Sequence, residues 1–244
     1  MDRRGHQIRC RQPHHHVRLI VSVGALLVLE GVEGVGKSTQ WRLLGERFQR
    51  AGLPVIAVRE PGGTSLGNDI RDVLLDPRRV VHPRTEALLF MASRAQLVQD
   101  VIKPALAAGT HVIADRFFLS TYAYQVAGRR LPEAEVRSAN RLATNGLVPD
   151  LNLLLDLSAA EGLRRAASRG AHDRMEESGA DFLARVAAAF TEFATQPWQD
   201  AHPECGPVVR IEASGTEADV AMRIDEAISL RLPRTLGPPA GSHS

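Results

Sequence analysis

The chain is poor in cysteine and has no long apolar run. Its 244 residues include two cysteines, Cys10 and Cys205, which are too few for a disulfide framework and fit a reducing compartment. Neither has a second cysteine at metal-binding spacing. No apolar run reaches the ~18 residues of a membrane-spanning helix. These absences argue against a disulfide-rich secreted domain and a transmembrane protein, and they predict a cytoplasmic protein without a membrane partner.

The body of the chain also lacks an excess of positive charge. Five arginines against Asp2 give residues 1–24 a charge of +4, so the rest of the chain, out of a net charge of +2, carries −2. A nucleic-acid-binding body would carry clustered positive charge. We therefore predict no nucleic-acid partner and expect any functional positive charge to be local.

The two ends of the chain lack the patterns of folded elements. Residues 1–24 are rich in arginine and histidine with little apolar periodicity, and residues 233–244 are rich in Pro, Gly and Ser. Low acid content suits a targeting peptide, but serines are few and no amphipathic helix is evident. We predict that both ends are disordered and that one folded domain spans residues 25–232.

One stretch, Gly31 to Ser38, fits G-x-x-x-x-G-K-[ST] without a mismatch. A buried strand is predicted before it, ending at Glu30, and a helix after it, from Ser38 to Arg50, which is the context of a phosphate-binding loop. Glycines let backbone N–H groups approach phosphate oxygens, and the helix N-terminus adds partial positive charge. Lys37 is placed to reach the β- and γ-phosphates and Ser38 to ligate Mg²⁺. The loop predicts binding of a nucleoside triphosphate.

Apolar segments alternate with amphipathic ones along the rest of the chain. Further strands are predicted at Val55–Arg59, His111–Asp115, Leu151–Leu157 and Pro207–Ile211. Helices are predicted at Ser65–Leu75, Thr85–Lys103, Pro132–Thr144, from Ser158 to about Arg169, at Phe182–Phe193 and at Glu217–Leu230. This alternation predicts an α/β protein of the P-loop NTPase fold, with a parallel β-sheet of about five strands and helices on both faces.

Polar residues follow two of the predicted strands. Arg59 and Glu60 precede the turn Pro61-Gly-Gly, and they are either site residues or charges flanking the turn. Asp115 and Arg116 end another strand. Asp115 could support Mg²⁺ or cap a helix, and Arg116 could donate two hydrogen bonds toward the same crevice.

A polar, Gly-flanked segment of about residues 165–179 contains Arg165, Arg169 and Arg174. Arginines beside such a segment suit a small lid that closes on phosphates. The alternative is a solvated basic face of a helix.

Five blocks of the sequence occur in the order and approximate spacing of the thymidylate kinase family. They are Gly31–Ser38, Arg59–Thr64, Phe90 with Arg94, Asp115-Arg116 with Ser120-Thr121, and Asp173–Glu176. The resemblance covers about residues 25–231 and is closest to the bacterial type, in which the lid rather than the phosphate loop supplies an arginine. Ala167 stands where some bacterial members carry a further lid arginine, so Arg169 is the first choice for that role and Arg174 the second.

The resemblance implies phosphoryl transfer from ATP to dTMP with Mg²⁺ in a homodimer, a step toward dTTP for DNA synthesis. Phe90 would stack on thymine, Arg94 would donate to its O4, and Thr121 would approach N3. Tyr124 would crowd the ribose 2′ position, Glu33 would lie near the 3′-OH, and Arg116 would clamp the acceptor phosphate.

The implied ATP-binding residues are Gly31, Val32, Glu33, Gly34, Val35, Gly36, Lys37, Ser38 and Thr39. The implied dTMP-binding residues are Glu33, Arg59, Phe90, Arg94, Arg116, Ser120, Thr121, Tyr124 and Gln125. The implied catalytic residues are Lys37, Arg116, Arg169 and Arg174, with Ser38 and Asp115 at the metal and Asp173 and Glu176 as lid acids.

Two other functions stay open at this point. A P-loop deoxynucleoside kinase would phosphorylate a 5′-hydroxyl and would need a general base, for which Glu33 or Glu60 is available. The arginines favour a phosphate acceptor instead. A nucleotide-binding regulator without turnover would bind ATP and form no dTDP, and an intact Lys37 and Ser38 argue against it.

Overall fold

The computed structural model describes residues 24–157, 174–175, 178–233 and 235. The predicted N-terminal extension up to residue 23, the predicted helix from Ser158 and most of the lid lie outside the described residues. So does most of the C-terminal tail.

The described part of the chain forms one parallel sheet of five strands. These are β1 (Leu26–Glu30), β2 (Val55–Arg59), β3 (His111–Asp115), β4 (Leu151–Asp156) and β5 (Val208–Glu212). Their order across the sheet is β2-β3-β1-β4-β5, and every neighbouring pair is parallel. The predicted fold class is therefore confirmed.

Helices connect the strands. They are α1 (Lys37–Arg50), α2 (Ser65–Leu75), α3 (Pro83–Leu97), α4 (Lys103–Ala107), α5 (Phe118–Thr121), α6 (Glu133–Thr144), α7 (Ala180–Phe193), α8 (Gln196–Ala201) and α9 (Glu217–Arg231). π-helical segments join α3 to α4 at Val98–Ile102 and continue α5 at Tyr122–Gly128. A short 3₁₀ turn, Pro203–Cys205, precedes β5. None of these helices is long and apolar enough to cross a bilayer.

Alternate residues of β1 enter two different cores, because a central strand is covered on both faces. Leu26 and Val28 pack with Phe117 and the aromatic residues of α7. Leu27 and Leu29 pack on the other face with Phe48 of α1 and with α9. This arrangement explains why the strand is a continuous apolar run rather than an alternating one.

The sheet brings the polar strand ends to one edge. In parallel strands the carboxyl ends share an edge, and here Leu29 is in register with Asp115, which is in register with Arg59. Gly31 leaves β1 with φ 135°, and a Cβ there would lie 2.4 Å from the carbonyl oxygen of Leu155. Only glycine lets the chain turn into the phosphate loop at this point. The Glu60–Pro61 peptide bond next to β2 is cis.

Candidate active site

A cavity of about 280 Å³ opens at the carboxyl edge of the sheet. It brings together residues of the phosphate loop with every residue predicted to bind the acceptor nucleotide. The latter are Glu33, Arg59, Phe90, Arg94, Arg116, Ser120, Thr121, Tyr124 and Gln125. Ser38 and Asp115, the two predicted metal ligands, also line it. Residues about 90 positions apart in sequence therefore meet in one place.

The lysine of the phosphate loop is held by carbonyl oxygens of the same loop. Lys37 Nζ donates to the carbonyl oxygens of Gly31 at 3.0 Å and Val32 at 2.8 Å. Burial, together with the charge of Arg116, lowers the pKa of Lys37 to about 8, against the opposing effect of nearby carboxylates. Val35 is buried in the core between α1 and the sheet. Its side chain therefore anchors the phosphate loop to the core.

Arg116 has four partners around the cavity. It donates to Gly31 O at 3.2 Å, to Ser120 Oγ at 2.9 Å and to Tyr124 Oη at 3.3 Å, and it forms an ion pair with Glu33. Its φ of 73° places it in the left-handed region, which is strained for a residue with a side chain and is found at functional sites. The backbone of Arg116 is therefore strained, and its four partners hold the guanidinium in place.

Glu33 lies between positive charges. Burial alone would raise its pKa, but the charges of Arg116 and Lys37 and a hydrogen bond from Tyr124 lower the pKa of Glu33 to about 2. The Tyr124 hydroxyl lies 3.2 Å from Glu33 Oε1, and burial with the adjacent carboxylate raises the pKa of Tyr124. At neutral pH the pair is thus a carboxylate that accepts from a neutral phenol.

Glu30, the last residue of β1, organises the loop that follows β3. Its carboxylate accepts from Phe117 N at 2.8 Å, Ser120 N at 3.1 Å and Ser120 Oγ at 2.6 Å. This role was not predicted from the sequence. The only signal was an acid at the end of an apolar strand, and its partners lie almost ninety residues further along the chain.

Asp115 has one oxygen available for a cation. Arg59 donates to its Oδ2 at 3.2 Å, whereas its Oδ1 is buried and receives no hydrogen bond from the described residues. With the Ser38 hydroxyl, it gives the cavity two hard oxygen donors of the kind Mg²⁺ prefers, with room for phosphate oxygens and water in the remaining positions. The residues present therefore fit a phosphate-bound Mg²⁺.

Arg94 is a buried residue in the wall of the cavity. Its side chain is 2% exposed, and all five of its N–H groups are used. Nε donates to Glu60, Nη1 to Thr121 Oγ1 at 2.8 Å and Asn140 Oδ1 at 2.6 Å, and Nη2 to Glu60 and to Phe117 O at 2.8 Å. A base oxygen would have to share or replace one of these bonds. Among the described residues, the Thr121 hydroxyl oxygen accepts from Arg94 and its hydrogen has no acceptor, so it can donate to a ligand.

Phe90 stands one helical turn before Arg94 on α3 and is partly exposed in the cavity wall. One turn further back on the same face, Glu86 is fully buried and accepts hydrogen bonds from Gln125, Arg129 and Arg174. Only Phe90 and Arg94 were predicted from the sequence on this face of the helix. The same spacing, extended by one turn toward the start of the helix, would have identified Glu86.

The structure does not bring Arg174 into the cavity. Its guanidinium donates to Glu86 Oε2 at 2.7 Å and to Leu74 O at 2.7 Å, so it joins α2 to α3. The next residue, Met175, lines the cavity instead. The other predicted lid residues, Arg165, Arg169, Asp173 and Glu176, lie outside the described residues.

A second hollow adjoins the phosphate loop on the side of β5. It is shared by Gly34, Gly36 and Thr39 of the loop region and by Thr216 and Glu217 at the start of α9. Gln40 Nε2 donates to Glu217 O at 2.9 Å and fixes the turn there. This region was not predicted from the sequence, because a turn after a strand carries no motif.

Comparisons with known proteins agree with this geometry. The sequence model of the thymidylate kinase family matches residues 29–200. A thymidylate kinase of Deinococcus radiodurans is 43% identical over 211 residues, which cover 86% of this chain and 99% of that protein. A thymidylate kinase of a Synechococcus strain is 46% identical over 209 residues, covering 85% of this chain and 95% of that protein. The crystal structure of thymidylate kinase from Ehrlichia chaffeensis superposes with a TM-score of 0.65 at 26% identity, over 84% of this chain and 98% of the other. The chain belongs to the thymidylate kinase family.

Proposed function

We propose that the protein transfers the γ-phosphoryl group of ATP to dTMP, with Mg²⁺, to give dTDP and ADP. One observation carries this proposal. The same cavity holds a phosphate-loop lysine, a second fixed cation at Arg116 and an aromatic ring at Phe90, which are the groups that a triphosphate, an acceptor phosphate and a base would need. Membership of the family supports the choice of substrates.

The residue types suit a phosphate rather than a hydroxyl as the acceptor. A phosphate monoester is largely dianionic at neutral pH, because its second pKa is ~6. Its oxygen attacks the γ-phosphorus while the bond to the β–γ bridging oxygen breaks, and no general base is required. Such a reaction through a loose transition state needs positioning and charge neutralisation.

Lys37 and Arg116 would supply that neutralisation by exchanging partners. In the structure Lys37 donates to two loop carbonyls and Arg116 pairs with Glu33. We infer that incoming phosphate oxygens take over these donors. Mg²⁺ bound with the triphosphate at Ser38 and Asp115 would add positive charge near the transferred group.

The remaining cavity residues would orient the nucleoside. Phe90 offers a ring for stacking, and the Thr121 hydroxyl offers a donor. Glu33, freed from Arg116, would accept from the sugar 3′-OH, and the Tyr124 ring would crowd the ribose 2′ position. The hollow between the phosphate loop and α9 lies where the rest of ATP could extend, because loop residues line both spaces.

The decisive test is a coupled ADP-release assay with ATP and Mg²⁺, offering dTMP, dUMP, dCMP, AMP, GMP and thymidine in parallel, with identification of the product. We expect strong turnover on dTMP, giving dTDP. Turnover on thymidine would transfer the assignment to a nucleoside kinase. ATP binding without turnover on any acceptor would favour the regulatory alternative.

We propose a homodimer that covers the outer face of α3. Leu88 of α3 is 62% exposed, and Leu142 of the adjacent α6 is 84% exposed. An apolar patch that these two residues formed across neighbouring helices would suit a protein interface. Light scattering after gel filtration should show a dimer that Leu88→Glu converts to a monomer. Leu230→Glu, on α9 and 74% exposed, is the matched control and should leave the mass unchanged.

The cytoplasmic location stays a prediction. Cys205 is a buried free thiol, which fits a reducing compartment. Fractionation of the source cells, followed by detection of the protein, would test it.

A further inference from the structure

Glu86 is the most heavily paired buried acid near the acceptor side of the cavity. Its side chain is 0% exposed, and it does not line the cavity. Oε1 accepts from Gln125 Nε2 at 3.0 Å and Arg129 Nε at 3.1 Å, and Oε2 accepts from Arg129 Nη2 at 3.0 Å and Arg174 Nη1 at 2.7 Å. Burial would raise the pKa of Glu86, but these donors and the charge of Arg129 lower it below its ordinary value. The group is therefore a carboxylate with four donors.

The bond to Gln125 orients a residue that lines the cavity. Gln125 is buried and contributes to the wall of the cavity. A carboxylate can only accept, so the amide nitrogen of Gln125 must be the end that faces Glu86. The amide oxygen and the second N–H are then the groups left for a bound nucleotide.

The bond to Arg174 fixes a second part of the wall. Arg174 also donates to Leu74 O in the last turn of α2, so Glu86 ties α3 and α2 to residues 174–175. Met175, next in the chain, lines the cavity and is buried. Glu86 thus controls two wall residues that belong to separate segments of the chain.

Arg129 and Arg174 converge on one carboxylate. Arg129 also lies 4.3 Å from the ring centre of Phe182 and donates to Ser178 Oγ at 2.9 Å, which connects the cluster to the start of α7. Without the carboxylate, two largely buried guanidinium groups would repel each other and lose partners. The surrounding segments would then have to move.

We infer that Glu86 is a positioning residue for the acceptor nucleotide, acting through Gln125 and through Arg174 with Met175. This inference rests on the proposed phosphorylation of dTMP. Glu86 stands one turn before Phe90 and two turns before Arg94 on α3. One face of a single helix would therefore carry three residues of the same site. The phosphate loop shares no hydrogen bond with Glu86 among the described residues, so the ATP side should be affected little.

The variant to test is Glu86→Gln, which keeps the size of the side chain but removes the charge. Its amide nitrogen would face donors that need an acceptor. We expect KM for dTMP to rise on the order of tenfold or more, because hydrogen bonds to a charged group are lost, while KM for ATP stays unchanged. Calorimetry with dTMP alone should show the same loss of affinity without any dependence on turnover.

The mechanism of the effect is tested by a double-mutant cycle with Gln125→Ala. If Glu86 acts through Gln125, the two increases in KM for dTMP will be less than multiplicative in the double variant. Glu86→Asp retains the charge on a shorter arm, and it should fold and give a smaller increase than Glu86→Gln. Glu46→Gln, which removes an exposed acid paired with Arg42 on α1, is the matched control and should change neither constant.

A lower melting temperature with an unchanged KM for dTMP, in Glu86→Gln or in Glu86→Asp, would overturn the inference and leave Glu86 a purely structural residue. Multiplicative effects in the cycle would equally overturn the action through Gln125. Failure of the wild-type protein to turn over dTMP would instead overturn the proposed function, so the two failures are distinguishable.

Discussion

Lys37 is the side chain on which the chemistry depends most directly. It is buried, it is held by two loop carbonyls 2.8 and 3.0 Å away, and it lines the cavity. We expect Lys37→Ala to lower kcat on the order of 100-fold or more, as removal of one preorganised donor to a developing charge does. Steady-state kinetics with saturating ATP and dTMP would measure it. Near-normal turnover would contradict the role of the phosphate loop.

Phe90 is expected to act on binding rather than on chemistry. Its ring is partly exposed in the cavity wall, and stacking on a base is worth ~1–3 kcal/mol. Phe90→Ala should therefore weaken dTMP binding roughly 10- to 100-fold with a smaller effect on ATP. Phe90→Tyr keeps the ring and serves as the control. An unchanged dissociation constant for dTMP in Phe90→Ala would rule out the stacking role.

Single residues were predictable where a motif or a periodic face marked them. The phosphate loop, Phe90 with Arg94, and Asp115 with Arg116 all carry such marks, and the structure brings them into one cavity. The buried acids were harder to predict. Glu30, Glu60 and Glu86 find their main partners 34 to 90 positions away, and no local pattern shows which distant cation will neutralise an acid. The roles of the cavity residues stay predictions.

Among the elements, β3 begins with a histidine that accepts a hydrogen bond from the residue before β1, and only its neutral form can accept it. His111 Nδ1 accepts a hydrogen bond from Ala25 N at 3.0 Å, and its ring meets Phe48 edge-on. Burial lowers the pKa of His111 below its ordinary value of 6.5, and the charge of Asp150 offsets this only in part. The imidazolium form would lose the acceptor and disrupt the contact between the strands.

The sign of the pH effect follows from that lowered pKa. Below pH 6.5 the unfolded chain takes up a proton at this histidine before the folded chain does, so the free energy of unfolding falls as pH falls toward the folded value. The loss is at most about 1.4 kcal/mol per pH unit. The free energy of unfolding, measured with urea at several pH values between 8 and 5, should change less with pH in His111→Gln than in the wild type. His82→Gln, at an exposed histidine, should keep the wild-type slope, and an equal slope in all three proteins would contradict the assignment.

Elements with a clear period were predicted within a few residues, whereas Phe118–Gly128 was not predicted as helical. There Phe118, Leu119, Tyr122, Ala123 and Tyr124 are all buried. A helix that is enclosed on all sides shows no polar face, so its sequence lacks the amphipathic period. The segment continues as a π-helix from Tyr122 to Gly128, which shifts the side chains further from regular spacing.

For the whole molecule, we expect the site to be independent of the first residues of the chain. Every proposed site residue follows Glu30, and the earliest described contact is Gly24 N donating to Leu106 O at 3.1 Å. We expect deletion of residues 1–22 to leave kcat and KM unchanged in the assay with dTMP. Deletion of residues 1–28 removes most of β1 from the centre of the sheet and should abolish folding. Loss of activity in a shorter truncation that still melts cooperatively would show that the extension contributes.

The pairing of Arg116 with Glu33, and of Lys37 with two carbonyl oxygens, has a consequence for how nucleotides arrive. Two cations of the cavity, Lys37 and Arg116, therefore already have oxygen partners within the protein. An incoming phosphate has to displace these partners, so we expect its capture to depend on exchange at short range more than on attraction from a distance. We expect the association rate to depend only weakly on ionic strength, because long-range steering is what added salt screens.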